Sequence, residues 1–228
     1  MNTTTSRLIK TITFRGVNCY LIKTKDEFIL VDSGYSNQRS NIESALDNAG
    51  VQRGNLRLIL MTHGDFDHTG NGAYFREKYQ SKIAMHKDDL GMVEHGDLFY
   101  SRKSGNIIVR KLVKLILPLI RMNLKKKDRF IPDIYLEDGD DLSEYGLNAK
   151  VVHIPGHSGG SISFLTTEGD LFIGDLLENN EKRGPSKGSL MDNSVEFDAS
   201  IDKLIKLSLN NVYPGHGTSF PMENFRNK

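Results

Sequence analysis

Thr62-His63-Gly64-Asp65-Phe66-Asp67-His68-Thr69-Gly70 is the stretch on which the reading of this chain turns. It directly follows an apolar run over residues 58–61, which has the length and composition of a buried strand. Nine residues therefore set two histidines and two aspartates on a loop that is stiff at its root and free at its tip. Side chains of these types, packed this closely, are the ligands a divalent metal takes. A metal centre needs more donors than one loop supplies, so the rest of the chain has to provide them.

Downstream, the same local event recurs three times. A strand expected over 149–154 runs into Pro155-Gly156-His157-Ser158-Gly159-Gly160. A hairpin expected over 161–166 and 170–173, turning at Glu168-Gly169, ends in Gly174-Asp175. The short run 211–213 leads into Pro214-Gly215-His216-Gly217. Each time an apolar run stops, a glycine permits a sharp turn, and a His or Asp is presented. Strand ends on one sheet edge share a face, so four presentations can converge.

The remaining segments are connecting structure. Residues 8–14, 18–23 and 27–31 read as strands, with a turn at Lys25-Asp26. Cys19 lies inside one of them and reads as a buried, inert thiol. Asp32 closes the third strand and is expected to hydrogen-bond neighbouring loops rather than to ligate. Ser40 and Glu43 have capping-box spacing, for a helix running to about residue 48 and stopped by Gly50. Further helices are expected over 70–79 and 200–209, and a strand over 82–85 delivers His86, read as a packing residue. Residues 184–188 read as a polar, flexible loop.

Residues 98–130 carry ten Lys or Arg against one acid, Asp128, although the whole chain is only +1. Arg110, Lys114, Arg121 and Lys125 fall on one helical stripe, with Pro118 expected to kink it. The stretch reads as a basic helical insertion at about 90–132 covering the domain. A lid, a funnel for anionic substrates and a contact with an anionic membrane surface are its sharper readings.

Composition, 38% hydrophobic and 26% charged over 228 residues, is that of a globular chain and fits a single domain with an insertion. The net charge singles out no partner, and nucleic acid is not expected. One cysteine excludes an internal disulfide. Residues 1–10 lack the apolar core of a secretion signal, and no apolar run reaches membrane-spanning length, so a cytoplasmic protein is expected.

With these motifs assembled, the chain resembles the metallo-β-lactamase-fold hydrolases. That family shows His-x-His-x-Asp-His, a Pro-Gly-His-x-x-Gly loop, a Gly-Asp strand end and a Gly-His-Gly loop, matched here from Asp32 to Gly217 apart from the basic stretch. The resemblance implies an α/β fold of the α+β kind, a four-layer αββα sandwich with metals at one rim. It implies two divalent ions, zinc first, with iron or manganese as alternatives. Carried over by position, His63 and His157 would hold the first, Asp67, His68 and His216 the second, and Asp175 would bridge them.

This chain departs from the family at Asp65, where histidine is usual. Asp65 either ligates the first ion as a harder donor, favouring iron or manganese, or is too short to reach. As a third carboxylate it is expected to make the bridging water less acidic.

The implied activity is hydrolysis, by a metal-held hydroxide, of an ester, thioester, lactone or lactam in a small-molecule substrate, with Asp67 also orienting the nucleophile or passing its proton. A phosphodiesterase acting on an anionic substrate is one alternative. A non-catalytic metal-binding or membrane-surface regulator is the other. The short span after His216 argues against the glyoxalase II subtype, which carries a C-terminal helical domain, and the large extra domain of the nuclease subtypes does not fit in this chain. Flavodiiron oxidoreductases share an acid at this position but need a flavodoxin domain.

Overall fold

The computed structural model describes residues 8–102, 115 and 124–227. Arg110, Lys111, Lys114, Pro118 and Arg121, on which the reading of the basic insertion rests, lie outside the described residues. Among the described residues no helix is long and apolar enough to cross a membrane.

Two sheets form the frame. The first runs in sequence order through β1 (Ile9–Phe14), β2 (Val17–Lys23), β3 (Phe28–Val31), β4 (Leu56–Leu60), β5 (Lys82–Met85) and β6 (Ile134–Tyr135). Its first three strands are antiparallel and the rest pair parallel from β3 onward. The second contains β7 (Ala149–His153), β8 (Ile162–Thr166), β9 (Leu171–Gly174), β12 (Asn211–Pro214) and β13 (Phe220–Pro221), in the order β13-β12-β9-β8-β7. A separate ribbon joins β10 (Leu177–Asn180) to β11 (Gly184–Lys187).

Alternation explains why the central strands read as unbroken apolar runs. Successive side chains point to opposite faces, and in these strands both faces are covered. Tyr20, Ile22, Ile29, Val31, Leu58 and Leu60 pack inward against Val151, Ile162, Phe164 and Phe172 of the second sheet. Leu21, Leu30 and Ile59 face the other way, onto Ile42 and Leu46 of α1 (Arg39–Asp47) and Phe75 and Tyr79 of a second helix. Val152, Ile173 and Val212 of the second sheet meet Phe197, Ile201 and Leu204. The layers are helix, sheet, sheet, helix, as expected.

Several local expectations are corrected. The helix following Asp65 is broken into α2 (Phe66–Thr69) and α3 (Gly72–Tyr79), so Asp67 and His68 sit on a single helical turn rather than an open loop. α1 has no capping box: its N-cap is Gln38 with no side-chain bond, Ser40 lies within the helix, and Glu43 instead accepts from Tyr74 at 3.0 Å and pairs with Lys78. After α4 (Leu90–His95), α5 spans Ser194–Ile205, starting six residues before the expected position. The Asn193 side chain caps it, accepting from the Val195 and Glu196 amides. Residues 184–187 are a strand, not a flexible loop.

Candidate metal centre

Strand ends deliver the site. β4 stops at Leu60 and the chain turns through Thr62 and His63; β7 precedes His157, β9 precedes Asp175, and β12 precedes His216. The structure brings all seven sequence candidates together in overlapping clusters. His63, Asp65 and His157 form one, with donor atoms within 4.8 Å of one another. Asp67, His68 and His216 form another on the same criterion, and Asp175 stands with His63 and His68 in a third that links the two. The Asp175 carboxylate lies 3.2 Å from His216 Nε2, 3.2 Å from His68 Nε2 and 3.9 Å from His63 Nε2. Asp65 does reach its cluster: its Oδ2 is 3.2 Å from His157 Nε2 and 3.6 Å from His63 Nε2.

A common device aims the four histidines. Each has Nδ1 tied to an oxygen outside the centre, which leaves Nε2 turned inward. His68 Nδ1 is 2.9 Å from Asp32 Oδ2, His157 Nδ1 is 2.7 Å from the Leu190 carbonyl, and His216 Nδ1 is 2.9 Å from the Gly16 carbonyl. His63 Nδ1 is 2.9 Å from Thr62 Oγ1, and that hydroxyl donates to Asp32 at 2.9 Å. Such contacts fix the tautomer a metal requires. The Nε2 atoms of His63 and His68 and Asp175 Oδ1 are buried and make no hydrogen bond. A polar atom left so is costly unless something else engages it. The donor set, imidazole nitrogens and carboxylate oxygens around adjacent points, fits two divalent ions.

Electrostatics follow from burial and proximity. Burial pushes the Asp65 and Asp175 carboxyls up, yet their neighbours hold both well below the usual carboxylate range, Arg102 and His157 for Asp65, His68 and His216 for Asp175. Burial opposes charge on His68, but Asp175, Asp67 and Asp32 raise its pKa well above normal. His216 is likewise opposed by burial and lifted to about 10 by Asp175 and Asp67. The Cys19 thiol is pushed up by burial, which keeps it inert, as expected.

Five residues that sequence reasoning gave no role complete the site. Thr62 relays between Asp32 and His63. Asp89, fully buried, accepts from the Gly64 amide at 2.8 Å, Ser158 Oγ at 2.6 Å and the Gly160 amide at 2.9 Å, tying the His63–Asp67 turn to the His157 loop. Asn18 Nδ2 donates to the carbonyls of Pro214 and Gly217, and Tyr20 Oη to Pro214, fixing the His216 loop onto β2. Arg102, 7% exposed, places Nη2 between Asp65 (2.9 and 3.0 Å) and His157 Nε2 (3.2 Å). Thr62 opens the metal loop and Asn18 opens an apolar strand, but neither position signals its distant partner. The role of Asp32 is the one expected: it hydrogen-bonds rather than facing the centre.

His86, Asp88 and His153 also bring donor atoms within 4.8 Å, but they make a poor site. The two rings stack at 4.3 Å and 11°, so their in-plane lone pairs run side by side instead of converging. His153 Nε2 contacts the Gly159 carbonyl and His86 Nδ1 accepts from the Asp88 amide. His86 is a packing residue, as its lone position suggests. A cavity of about 690 Å³ is lined by Asp88, Ser101, His153, Pro155 and Gly159 among others.

Comparison with known proteins agrees with this geometry. The family model described as the metallo-beta-lactamase superfamily matches residues 12–216. The beta-lactamase-like protein 2 homolog of Drosophila melanogaster is 23% identical over 90% of this chain, which spans only 60% of that protein's length. The acyl-coenzyme A thioesterase MBLAC2 of Bos taurus is 25% identical, with 90% of this chain and 75% of that protein covered. Among solved structures, TTHA1623 in a di-iron-bound form superposes with a TM-score of 0.72 at 26% identity, covering 96% of each chain.

Proposed function

Because the chain belongs to the metallo-beta-lactamase superfamily, we propose that it is a metal-dependent hydrolase of a carboxylic ester, thioester, lactone or lactam, with acyl thioesters first among these. The observation that carries this reading is the set of four histidines whose Nδ1 atoms are all engaged and whose Nε2 atoms turn toward Asp65, Asp67 and Asp175. The thioester preference rests on the bovine relative, which is named a thioesterase.

His63, Asp65 and His157 would hold the first ion, Asp67, His68 and His216 the second, with Asp175 shared. Two bound divalent ions would supply a water acidic enough to attack at neutral pH and a Lewis-acid contact for the substrate oxygen. The chain's own residues do the remainder. Asp67 Oδ2 lies 3.8 Å from His68 Nε2 and 3.6 Å from His216 Nε2, and its carboxylate is partly exposed, so it can orient a nucleophile and take its proton. His216, with a third of its side chain exposed, marks the open side of the centre. His63, Asp65 and His157 line its closed side, where burial strengthens every charge interaction. A small-molecule substrate suits a centre of this size.

The test is hydrolysis of a panel of acyl thioesters, esters, lactones and lactams by the metal-loaded protein, beside Asp67→Asn. General acid–base catalysis is worth about 10²–10⁴ in rate, so the variant should lose activity on that scale. A metal-replete wild-type protein inert toward every member of the panel would overturn the proposal.

A further inference from the structure

We infer that Arg102 is a tethered cation that holds the first cluster before its metal arrives and then yields His157 to it, so that the two sites fill in order, the Asp67–His68–His216 site first. The inference rests on the metal-centre reading above and goes beyond it, because Arg102 belongs to no ligand motif.

The argument begins with lone pairs. An imidazole whose Nδ1 carries a proton offers one in-plane lone pair, on Nε2. His157 Nδ1 faces the Leu190 carbonyl at 2.7 Å, so its only acceptor is Nε2. Arg102 Nη2 sits 3.2 Å from that atom. Arginine is always a donor and never an acceptor. In the neutral ring, the form a metal takes, that lone pair is therefore engaged by the guanidinium, since Asp65 Oδ2, also 3.2 Å away, is itself only an acceptor. One lone pair cannot serve both, so metal and Arg102 compete for His157.

Asp65 makes the exchange practicable. Arg102 Nη2 is 2.9 Å from Oδ1 and 3.0 Å from Oδ2, and only Oδ2 faces the imidazoles, 3.2 Å from His157 Nε2 and 3.6 Å from His63 Nε2. A carboxylate can hold a cation on each oxygen. Oδ1 is an ion-pair contact that accepts no hydrogen bond, so an N–H that leaves His157 or Oδ2 has a free acceptor on the same carboxylate to turn to. Among the described residues Arg102's other hydrogen bond, Nη1 to the Leu98 carbonyl, is long at 3.3 Å. Nothing comparable stands against the second site. Among the described residues no Lys or Arg contacts Asp67, His68, Asp175 or His216, whose side-chain hydrogen bonds and ion pairs run among themselves and to His63, His157, Asp32 and Gly16.

The experiment is a titration of the metal-free protein with Co²⁺, followed by d–d absorption and calorimetry, for wild type, Arg102→Gln and Arg102→Lys. Wild type should bind one equivalent tightly and a second at least tenfold more weakly. In Arg102→Gln the weaker step should gain at least tenfold, while the tighter step stays within twofold and reports that the variant is folded. Arg102→Lys keeps the charge but not the planar fork, and should gain less. Two equal steps in wild type would overturn the inference, as would a weaker step that is unchanged or loosened in both variants. The second result would make Arg102 a buttress of Asp65 instead of a competitor. Absence of cobalt binding by wild type at either site would instead remove the metal-centre reading, and this inference with it.

Discussion

Asp32→Asn isolates the part of the site that lies outside the ligand set. Asp32 is buried at the end of β3 with φ at +58°, a conformation asparagine tolerates better than other non-glycine residues. Its Oδ1 accepts from the Thr62 amide at 2.9 Å, and its Oδ2 from Thr62 Oγ1 and from His68 Nδ1, both at 2.9 Å. A carboxylate can only accept. An amide must turn its NH₂ one way or the other. Turned toward Thr62, it meets the backbone N–H, donor against donor. Turned toward His68, it meets the Nδ1 proton.

The metal-free protein can escape this conflict. Once its ring is neutral, His68 can carry its one proton on Nε2, 3.2 Å from Asp175 Oδ1, and accept from the new amide at Nδ1. The metal-loaded protein cannot, because Nε2 then belongs to the ion and the proton must be on Nδ1. The clash is paid only on metal binding. Leaving one buried donor unsatisfied costs about 1–3 kcal/mol, and loss of a group that orients a metal-binding histidine costs about 10–100-fold in affinity. At ~1.4 kcal/mol per tenfold the two ranges agree. The assay is competition between the protein and a calibrated zinc chelator, with thermal melting of the metal-free forms alongside at alkaline pH, above the raised His68 value. Affinity should fall about 10–100-fold while the metal-free melting temperature moves little. An Asn variant that keeps its zinc affinity within twofold would refute the tautomer argument. So would one whose whole loss appeared in the metal-free melt.

Three further outcomes follow from the same contacts. Asp89→Ala removes the acceptor of three buried donors on two loops, so urea unfolding should show a loss of about 2–4 kcal/mol; a loss under 1 kcal/mol would mean that the loops hold without it. Gly156 has φ at +132° and a Cβ there would run into the Phe197 backbone of α5, so Gly156→Ala should lower both the melting temperature and zinc content, and an unchanged melt would discount that seat. In the metal-free protein, His68 and His216 have raised pKa values and Asp65 and Asp175 lowered ones. The histidines' contribution is complete below their unfolded value near 6.5 and is lost as pH rises through the folded one, about 10 for His216, while the carboxylates' contribution is present above about 4 and lost below. The urea midpoint should therefore plateau between about pH 4 and 6.5 and fall toward pH 10; a midpoint that climbs over pH 7–10 would contradict this.

What was legible in the sequence was whatever is local. Strand ends carrying Gly with His or Asp announce themselves within a few residues, and the frame followed because both faces of β2, β3 and β4 are buried and so spell continuous apolar runs. What stayed hidden was whatever depends on a partner far along the chain. Asn18 meets Pro214 and Gly217 across nearly the full length of the sequence, and Asp89 joins loops that begin at Gly64 and Ser158. The missed capping box has the same origin: Glu43 has the right spacing from Ser40, but Tyr74 and Lys78 of α3 claim it. The early start of α5 was missed for a local reason. Val195 is 78% exposed and Glu196 faces solvent, so its first turn carries no buried apolar residue before Phe197 to mark it.

Asp65 is where the two kinds of information have to be combined. Read alone, an aspartate in place of histidine adds a third carboxylate to the centre and should make a bound water less acidic. Arg102 changes that account. It contributes one positive charge within 3.0 Å of both Asp65 oxygens, buried enough that solvent screens it little. To a first approximation an Asp–Arg pair carries the same net charge as the neutral histidine it stands in for, so the penalty expected from Asp65 is offset by a residue 37 positions away. The offset holds only while the pair stays together, and buried pairs broken on one side are strongly destabilising, by about 3–5 kcal/mol. Asp65 and Arg102 are therefore best treated as one unit in the first cluster. Changing Asp65 to histidine alone would not restore the family's site; it would leave Arg102 buried beside imidazoles with no carboxylate to face.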